Sequence, residues 1–267
     1  VKHTARKRFG QNFLVDPGTI ARIVASIAPQ PGDALVEIGP GLGALTVPLA
    51  RALAGDALHV VELDRDLART LLERVAPLQL VIHEADALRF DFAQLAPHSG
   101  KLRIVGNLPY NISSPLLFHL SGVAALVRDQ HFMLQKEVVE RMVASPGGRD
   151  YGRLSVMLQV GYSMELLFVV GPENFDPAPK VESAIVRMVP LAAGAIEILD
   201  RPLFGALVAR AFSTRRKMLR NALAEFDRHV ALADCGLTPT ARAEDIAPGL
   251  YVSYANALSR AGVREGA

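Results

Sequence analysis

The chain has 267 residues, half of them hydrophobic and 21% charged, with a formal net charge of +2. That profile excludes a disordered or low-complexity chain and leaves room for one large domain and a small one. A single cysteine, Cys235, excludes an internal disulfide framework and points to a reducing, cytoplasmic setting, and the scattered histidines show no metal-ligand spacing, so no metal site is expected.

The first residues carry Lys2, Arg6, Lys7 and Arg8 but no apolar stretch of a secretory signal. The chain opens on Val1 rather than Met, so a few preceding residues are expected. Residues 34–39, 57–64, 79–86, 101–107 and 129–135 are short runs rich in Val, Ile and Leu. Their nearly continuous hydrophobicity predicts strands buried on both faces. Helical patterns such as 45–54 and 65–76 lie between them. Strand–helix alternation predicts an α/β fold, a doubly wound, mostly parallel Rossmann-like sheet. The apolar stretch 154–170 contains Gly161 and Glu165 and is expected to be buried core, not a membrane span. Runs 163–170 and 183–190 lack a helix-length segment between them and predict a hairpin at the sheet edge. Beyond Pro190–Gly194, a plausible linker, the pattern turns helical. The expected organisation is therefore a catalytic domain over 1–193 and a small all-α domain over 194–267.

Three strand ends carry candidate ligand-binding groups. The first runs into Glu37-Ile38-Gly39-Pro40-Gly41-Leu42-Gly43, where glycines let a ligand approach the backbone. The second ends in Glu62, whose carboxylate can accept both ribose hydroxyls of an adenosine-containing cofactor. The third ends in Asp86, suited to an adenine amine; singly, either acid also reads as a helix cap. The array suits NAD or S-adenosylmethionine.

The fourth strand ends in Asn107-Leu108-Pro109-Tyr110. An aryl amine is a poor nucleophile because its lone pair is delocalised into the ring. The Asn107 side-chain oxygen and the Leu108 carbonyl can accept its N–H groups and turn the lone pair outward. Pro109 stiffens the turn and Tyr110 can stack on the base. No strong base is needed when a sulfonium is the methyl donor, so positioning carries the catalysis. Ser114 is expected as N-cap of the following helix with Pro115 at its first position. Phe175, opening Phe175-Asp176-Pro177-Ala178-Pro179-Lys180-Val181-Glu182-Ser183, is expected to stack on an extruded base opposite Tyr110, or else to anchor a rigid turn. Lys180 is a candidate phosphate contact. The stretch 201–220 holds Arg201, Arg210, Arg215, Arg216, Lys217 and Arg220 with no acid, which predicts a polyanion-binding surface.

Together, Gln11-Asn12-Phe13-Leu14, the glycine turn, Asn107-Leu108-Pro109-Tyr110 and the Phe175–Val181 loop resemble the ribosomal RNA adenine dimethyltransferases, in the family's order. The C-terminal part resembles the family more loosely, through Phe212-Ser213-Thr214-Arg215-Arg216-Lys217. The resemblance implies an N-terminal motif folded over S-adenosylmethionine, assigning Asn12 and Leu14 to the cofactor beside Gly39, Gly41, Glu62, Asp86 and Asn107. It implies dimethylation of two adjacent adenosines near the 3′ end of small-subunit rRNA on an assembling subunit. Arg215, Arg216, Lys217, Arg220 and Lys180 would then contact RNA. A monomer with no membrane partner is expected. The alternatives are a large-subunit rRNA enzyme of the macrolide-resistance type, a DNA adenine methyltransferase, a nicotinamide-dependent oxidoreductase, and an assembly factor without chemistry.

Overall fold

The computed structural model describes residues 12–75, 78–214 and 217–264. The chain divides into two compact units, one formed by residues up to Val139 with Met164–Pro190, the other by Glu140–Ser163 with the residues from Leu191 on.

The first unit is built on a seven-stranded sheet. A short strand β1 (Phe13–Leu14) precedes it, and the sheet strands are β2 (Ala34–Ile38), β3 (Leu58–Glu62), β4 (Leu80–Glu84), β5 (Leu102–Asn107), β6 (Val127–Gln135), β7 (Tyr162–Val170) and, after the two-residue β8 (Phe175–Asp176), β9 (Ser183–Pro190). The order is β4-β3-β2-β5-β6-β9-β7. β2 to β6 pair in parallel, and β9 runs antiparallel to β6. The expected edge hairpin is present: β7 and β9 are neighbours at this end of the sheet, with β9 on the inner side against β6 and β7 at the edge. Chain order reverses between β2 and β5, the kind of switch point where such sheets open a crevice at their carboxyl edge.

Helices α1 (Pro17–Ile27), α2 (Thr46–Ala52), α3 (Arg65–Val75) and α4 (Ser113–Ser121) belong to this unit, while a short turn at Phe92–Leu95 replaces a helix between β4 and β5. α1 starts where the Asp16 side chain accepts from the Thr19 N–H at 2.6 Å, with Pro17 in its first turn. Ile27, Leu35, Leu49, Leu53, Val60 and Leu71 share one buried core. The start of α4 differs from expectation: the helix begins at Ser113, with Ile112 as N-cap and no side-chain cap. The Ser113 hydroxyl donates instead to the Tyr110 carbonyl at 3.0 Å, because the turn closes one residue earlier than a Ser114 cap requires.

In the second unit, α6 (Arg153–Gln159), which follows α5 (Lys136–Val143), joins α7 (Arg201–Phe212), α8 (Leu219–Ala222), α9 (Ala224–Asp227) and α10 (Pro248–Arg260). Tyr151, Val156 and Val160 share its core with Leu207, Tyr251 and Tyr254, and the Tyr151 hydroxyl donates to the Ile246 carbonyl at 2.8 Å. Residues 140–163, which a boundary near 193 leaves in the first domain, therefore belong to the helical unit. The stretch 154–170 is accordingly α6 plus β7 rather than a single core segment. Among the described residues no helix is long and apolar enough to cross a membrane.

Both ends of the sheet are fixed by side-chain-scale constraints. At the amino ends of the parallel strands the buried Arg103 guanidinium pairs with Asp129 at 2.9 Å and Asp33 at 2.6 Å and donates to the Ile27 and Ala28 carbonyls. A buried charge so surrounded is satisfied, and loss of one partner costs about 3–5 kcal/mol. At the carboxyl ends, Gly106 of β5 lies so close to β2 that a Cβ there would sit 2.4 Å from the Ile38 carbonyl oxygen. Gly106→Ala should therefore lower stability by about 1–3 kcal/mol, as overpacking against backbone does. Denaturant melts of the two proteins test this; equal midpoints would show that β2 and β5 can separate freely.

Candidate active site

The carboxyl ends of β2, β3, β4 and β5 surround a cavity of about 270 Å³ that lies within the first unit. Gly39 and Gly41 both have positive φ, 66° and 55°, which lets the turn after β2 curl under the cavity. Gly41 is also in contact with the N-terminal segment: a Cβ there would lie 3.2 Å from the Phe13 ring. Glu62, at the end of β3, stitches two turns together. Its Oε2 accepts from the Gly41 N–H at 3.3 Å and its Oε1 from the Asp64 N–H at 2.8 Å. Each carboxylate oxygen has a second acceptor site, so ribose hydroxyls can still be bound. Burial raises the Glu62 pKa, against these backbone donors. Asp86 accepts from the Leu88 N–H at 2.9 Å, so its turn-capping role and its place in the cavity wall coexist.

Glu37 is 1% exposed, and its Oε2 has no hydrogen-bond partner. Burial pushes its carboxyl up to about 8, with the Thr46 hydroxyl opposing and the Glu62 carboxylate reinforcing. The carboxyl is therefore neutral at pH 7 unless a cation comes beside it, which would return it to the charged form.

The turn after β5 lies opposite. Gly39 and Asn107 are adjacent: a Cβ on Gly39 would be 3.7 Å from the Asn107 carbonyl oxygen. The Asn107 side-chain amide nitrogen donates to the Asn12 carbonyl at 3.2 Å. That commits the nitrogen, and Oδ1 is the acceptor that remains for a ligand N–H. The Leu108 N–H donates to the Met133 carbonyl at 3.1 Å, which ties the turn to β6. Tyr110 lines the cavity, and its hydroxyl lies 2.7 Å from the Ser183 hydroxyl. Burial raises the Tyr110 phenol pKa, the Ser183 bond opposing, so it is neutral in use.

The structure thus brings Asn12, Leu14, Gly39, Gly41, Glu62, Asp86, Asn107, Leu108, Pro109 and Tyr110 around one cavity. Phe175 is not among its lining residues. It is 5% exposed and packed in the core, and β8 pairs with β1 so that Leu14 faces Phe175 and Phe13 faces Asp176. This packing fits the role of a turn anchor; stacking on a base would need the ring to be uncovered. Lys180 is exposed. Arg215 and Arg216 lie outside the described residues; Lys217 and Arg220 are exposed, whereas Arg210 pairs with Glu225 at 3.1 Å. Among the described residues no cluster of His, Cys, Asp or Glu could hold a metal ion.

Phe13 and Leu63 line the cavity and were not anticipated. Leu63 is 53% exposed although it follows the buried Glu62. Its exposure is not readable in the sequence, where Leu63 continues the apolar run of β3. Phe13 lies in the N-terminal motif whose resemblance assigns Asn12 and Leu14 to the cofactor, and its place against Gly41 follows the β1–β8 pairing.

A model of the ribosomal RNA adenine dimethylase family matches residues 2–260. A ribosomal RNA small subunit methyltransferase A from Bordetella avium is 57% identical over 262 residues, 98% of each chain. Its counterpart from Herminiimonas arsenicoxydans is 55% identical over 259 residues, 97% of this chain and 100% of the relative. Among solved structures, a dimethyladenosine transferase from Plasmodium falciparum superposes with a TM-score of 0.78 at 23% identity, covering 94% of this chain and 98% of its own. The 23S rRNA methyltransferase ErmE superposes at 0.70 and 27% identity, covering 93% and 100%.

The neutral Glu37 gives a pH signature. In the unfolded chain this carboxyl ionises near its ordinary 4.5, and in the fold only near 8. Its stabilising contribution is therefore complete below 4.5 and is lost as pH rises to about 8. Glu37→Gln, neutral at every pH, should gain Tm relative to the parent between pH 5 and pH 9. A Tm difference that stays constant across that range would mean the native carboxyl is already ionised.

Proposed function

The chain belongs to the ribosomal RNA adenine dimethylase family and is an rRNA adenine dimethyltransferase, and from that premise we propose the following assignment of cofactor, substrate and roles. The methyl donor is S-adenosylmethionine, held in the cavity at the ends of β2, β3 and β4. The target is the exocyclic amine of two adjacent adenosines near the 3′ end of small-subunit rRNA, each receiving two methyl groups on an assembling subunit. The relatives that match over nearly the whole chain carry the small-subunit name, which favours this substrate over the large-subunit one.

The cavity's donor set suits this cofactor. Glu62 offers acceptors for the ribose hydroxyls, Asp86 one for the adenine amine, and Leu63 an apolar wall for the adenine ring. The unpartnered Glu37 oxygen is matched to a ligand carrying positive charge, which a nicotinamide dinucleotide's anionic pyrophosphate would not satisfy. Bound there, the cofactor would supply a methyl carbon made electrophilic by a sulfonium whose leaving group is a neutral thioether.

The single observation that carries the reading is the Asn107 side chain, its nitrogen held by the Asn12 carbonyl and its oxygen left as acceptor beside the cofactor turn. Oδ1 and the Leu108 carbonyl accept the two N–H groups of the target adenine and turn the nitrogen lone pair toward the cofactor. Tyr110 presents its ring to the base. The ammonium first formed on the adenine is acidic enough to give its proton to water, so no residue has to serve as a strong base. Positioning of this kind accounts for rate enhancement through pre-organised geometry. Lys180 and the basic stretch of Arg215, Arg216, Lys217 and Arg220 hold RNA phosphates, and the protein acts as a monomer in the cytoplasm. The first unit does the chemistry and the helical unit binds RNA.

The decisive experiment is methyl transfer from labelled S-adenosylmethionine to small ribosomal subunits lacking the modification, followed by nucleoside analysis. Dimethyladenosine is expected; transfer only to large-subunit RNA would replace the substrate. Asn107→Ala should lose most turnover while S-adenosylhomocysteine binds within about tenfold of the parent, because the amine acceptor contributes mainly in the transition state. Retention of full turnover would refute the acceptor role. Changing Arg215, Arg216 and Lys217 together to Ala should flatten the salt dependence of RNA binding by about 0.7–0.9 in slope per phosphate contact removed. An unchanged slope would place the phosphate contacts elsewhere.

A further inference from the structure

We propose that Ser183 is a positioning residue for methyl transfer, its hydroxyl holding the Tyr110 ring at the angle from which it faces the target base. The two hydroxyls lie 2.7 Å apart, and Ser183 is fully buried. Ser183 does not line the cavity, so it reaches the reaction only through Tyr110.

The anchor itself is rigid. Ser183 is the first residue of β9 and lies opposite Gln135 at the end of β6. Its neighbour Glu182 is clamped at two points: its carbonyl accepts from the Lys136 N–H at 3.0 Å, and its carboxylate accepts from the Lys136 ammonium at 2.8 Å. On the other side, the Tyr110 carbonyl accepts from the Ser113 hydroxyl at 3.0 Å, and the Ile112 N–H closes the turn on the Pro109 carbonyl at 3.2 Å. The ring is thus held at its backbone by the turn and at its far end by Ser183. A half-buried tyrosine held only at the backbone can leave its rotamer when the cavity opens to a substrate. A second fixed point at the hydroxyl removes that freedom before the base arrives. Neither hydroxyl gains or loses a proton in the reaction; the bond is geometric.

The inference rests on the reading of Tyr110 as the base-facing ring. The test compares Ser183→Ala, Tyr110→Phe and the double variant in the full-length protein, with 2-aminopurine in place of the target adenosine as a stacking probe. Each single variant should lose roughly tenfold in kcat/KM for the RNA, the scale of one lost orienting bond at a reacting geometry. The double variant should lose no more than either alone, because both remove the same bond. Affinity for S-adenosylhomocysteine should stay within about twofold, since the bond does not touch the cofactor wall. Quenching of 2-aminopurine should weaken equally in all three. Multiplying losses in the double variant would overturn the proposal, as would a Tyr110→Phe protein with full turnover, or a Ser183→Ala protein whose Tm falls while kcat/KM and quenching hold. Tyr110→Ala separates the two layers: full turnover there would sink the base-facing reading itself, whereas a slow Tyr110→Ala beside a fully active Ser183→Ala would sink only the role of Ser183.

Discussion

The site depends on how closely β5 approaches β2 at their carboxyl ends. Only a residue without a Cβ can stand at position 106, since a methyl there would meet the Ile38 carbonyl at 2.4 Å. That approach brings the Asn107 backbone against Gly39, so the glycine turn after β2 and the Asn-Leu-Pro-Tyr turn after β5 share one wall. Transfer between two bound molecules is fast when the reacting atoms are held about 3–3.5 Å apart and aligned. Here the spacing is set by the packing of two neighbouring parallel strands, among the stiffest relations a fold can offer. The Arg103 cluster at the opposite strand ends ties β5 to β6 through Asp129 and holds the residues that lead into β2 through Asp33, Ile27 and Ala28. The sheet is thus pinned at its base while the chemistry is arranged at its top.

The segment 12–19 adds a second layer of control. It is held from one side by the β1–β8 pair, by the Val15 N–H on the Asn174 carbonyl at 2.8 Å and by the Thr19 hydroxyl on the Asn174 side chain at 2.7 Å. From the other side the Asn12 carbonyl holds the amide of Asn107. Asn12, Phe13 and Leu14 on one side of the cavity and Asn107 on the turn after β5 are therefore parts of one hydrogen-bonded arrangement. Phe175 belongs to it as the buried partner of Leu14, which explains why an aromatic residue stands there without facing the cavity.

The electrostatics of the cavity follow from burial more than from formal charge. Glu37 and Glu62 stand close together in a wall shielded from water, and both carboxyls are raised for that reason first. Such a site is poorly matched to an anion and well matched to a ligand bearing a positive centre and several hydroxyl or amine donors. Opposite, the Asn-Leu-Pro-Tyr turn contributes neutral acceptors and an aromatic face with no ionisable base. The division suits a reaction whose leaving group is neutral and whose product proton is lost to water.

Period and punctuation in the sequence determined the strands of the sheet, their parallel character and the places where chain direction turns. A strand buried on both faces must be apolar throughout, and a strand-end glycine or acid at the carboxyl edge faces the crevice wherever the sheet is doubly wound. That Glu62, Asp86, the glycine turn and Asn107 meet at that edge is legible on those grounds. What the tertiary structure alone decided were the relations between distant segments. The insertion of β9 between β6 and β7, the pairing of β1 with β8 that buries Phe175, the helical unit's claim on residues 140–163 and the Ser183 bond to Tyr110 each depend on which apolar faces meet. A local pattern states that a residue must be buried; only the packed chain states against what, because burial is satisfied by area and a partner is chosen by geometry.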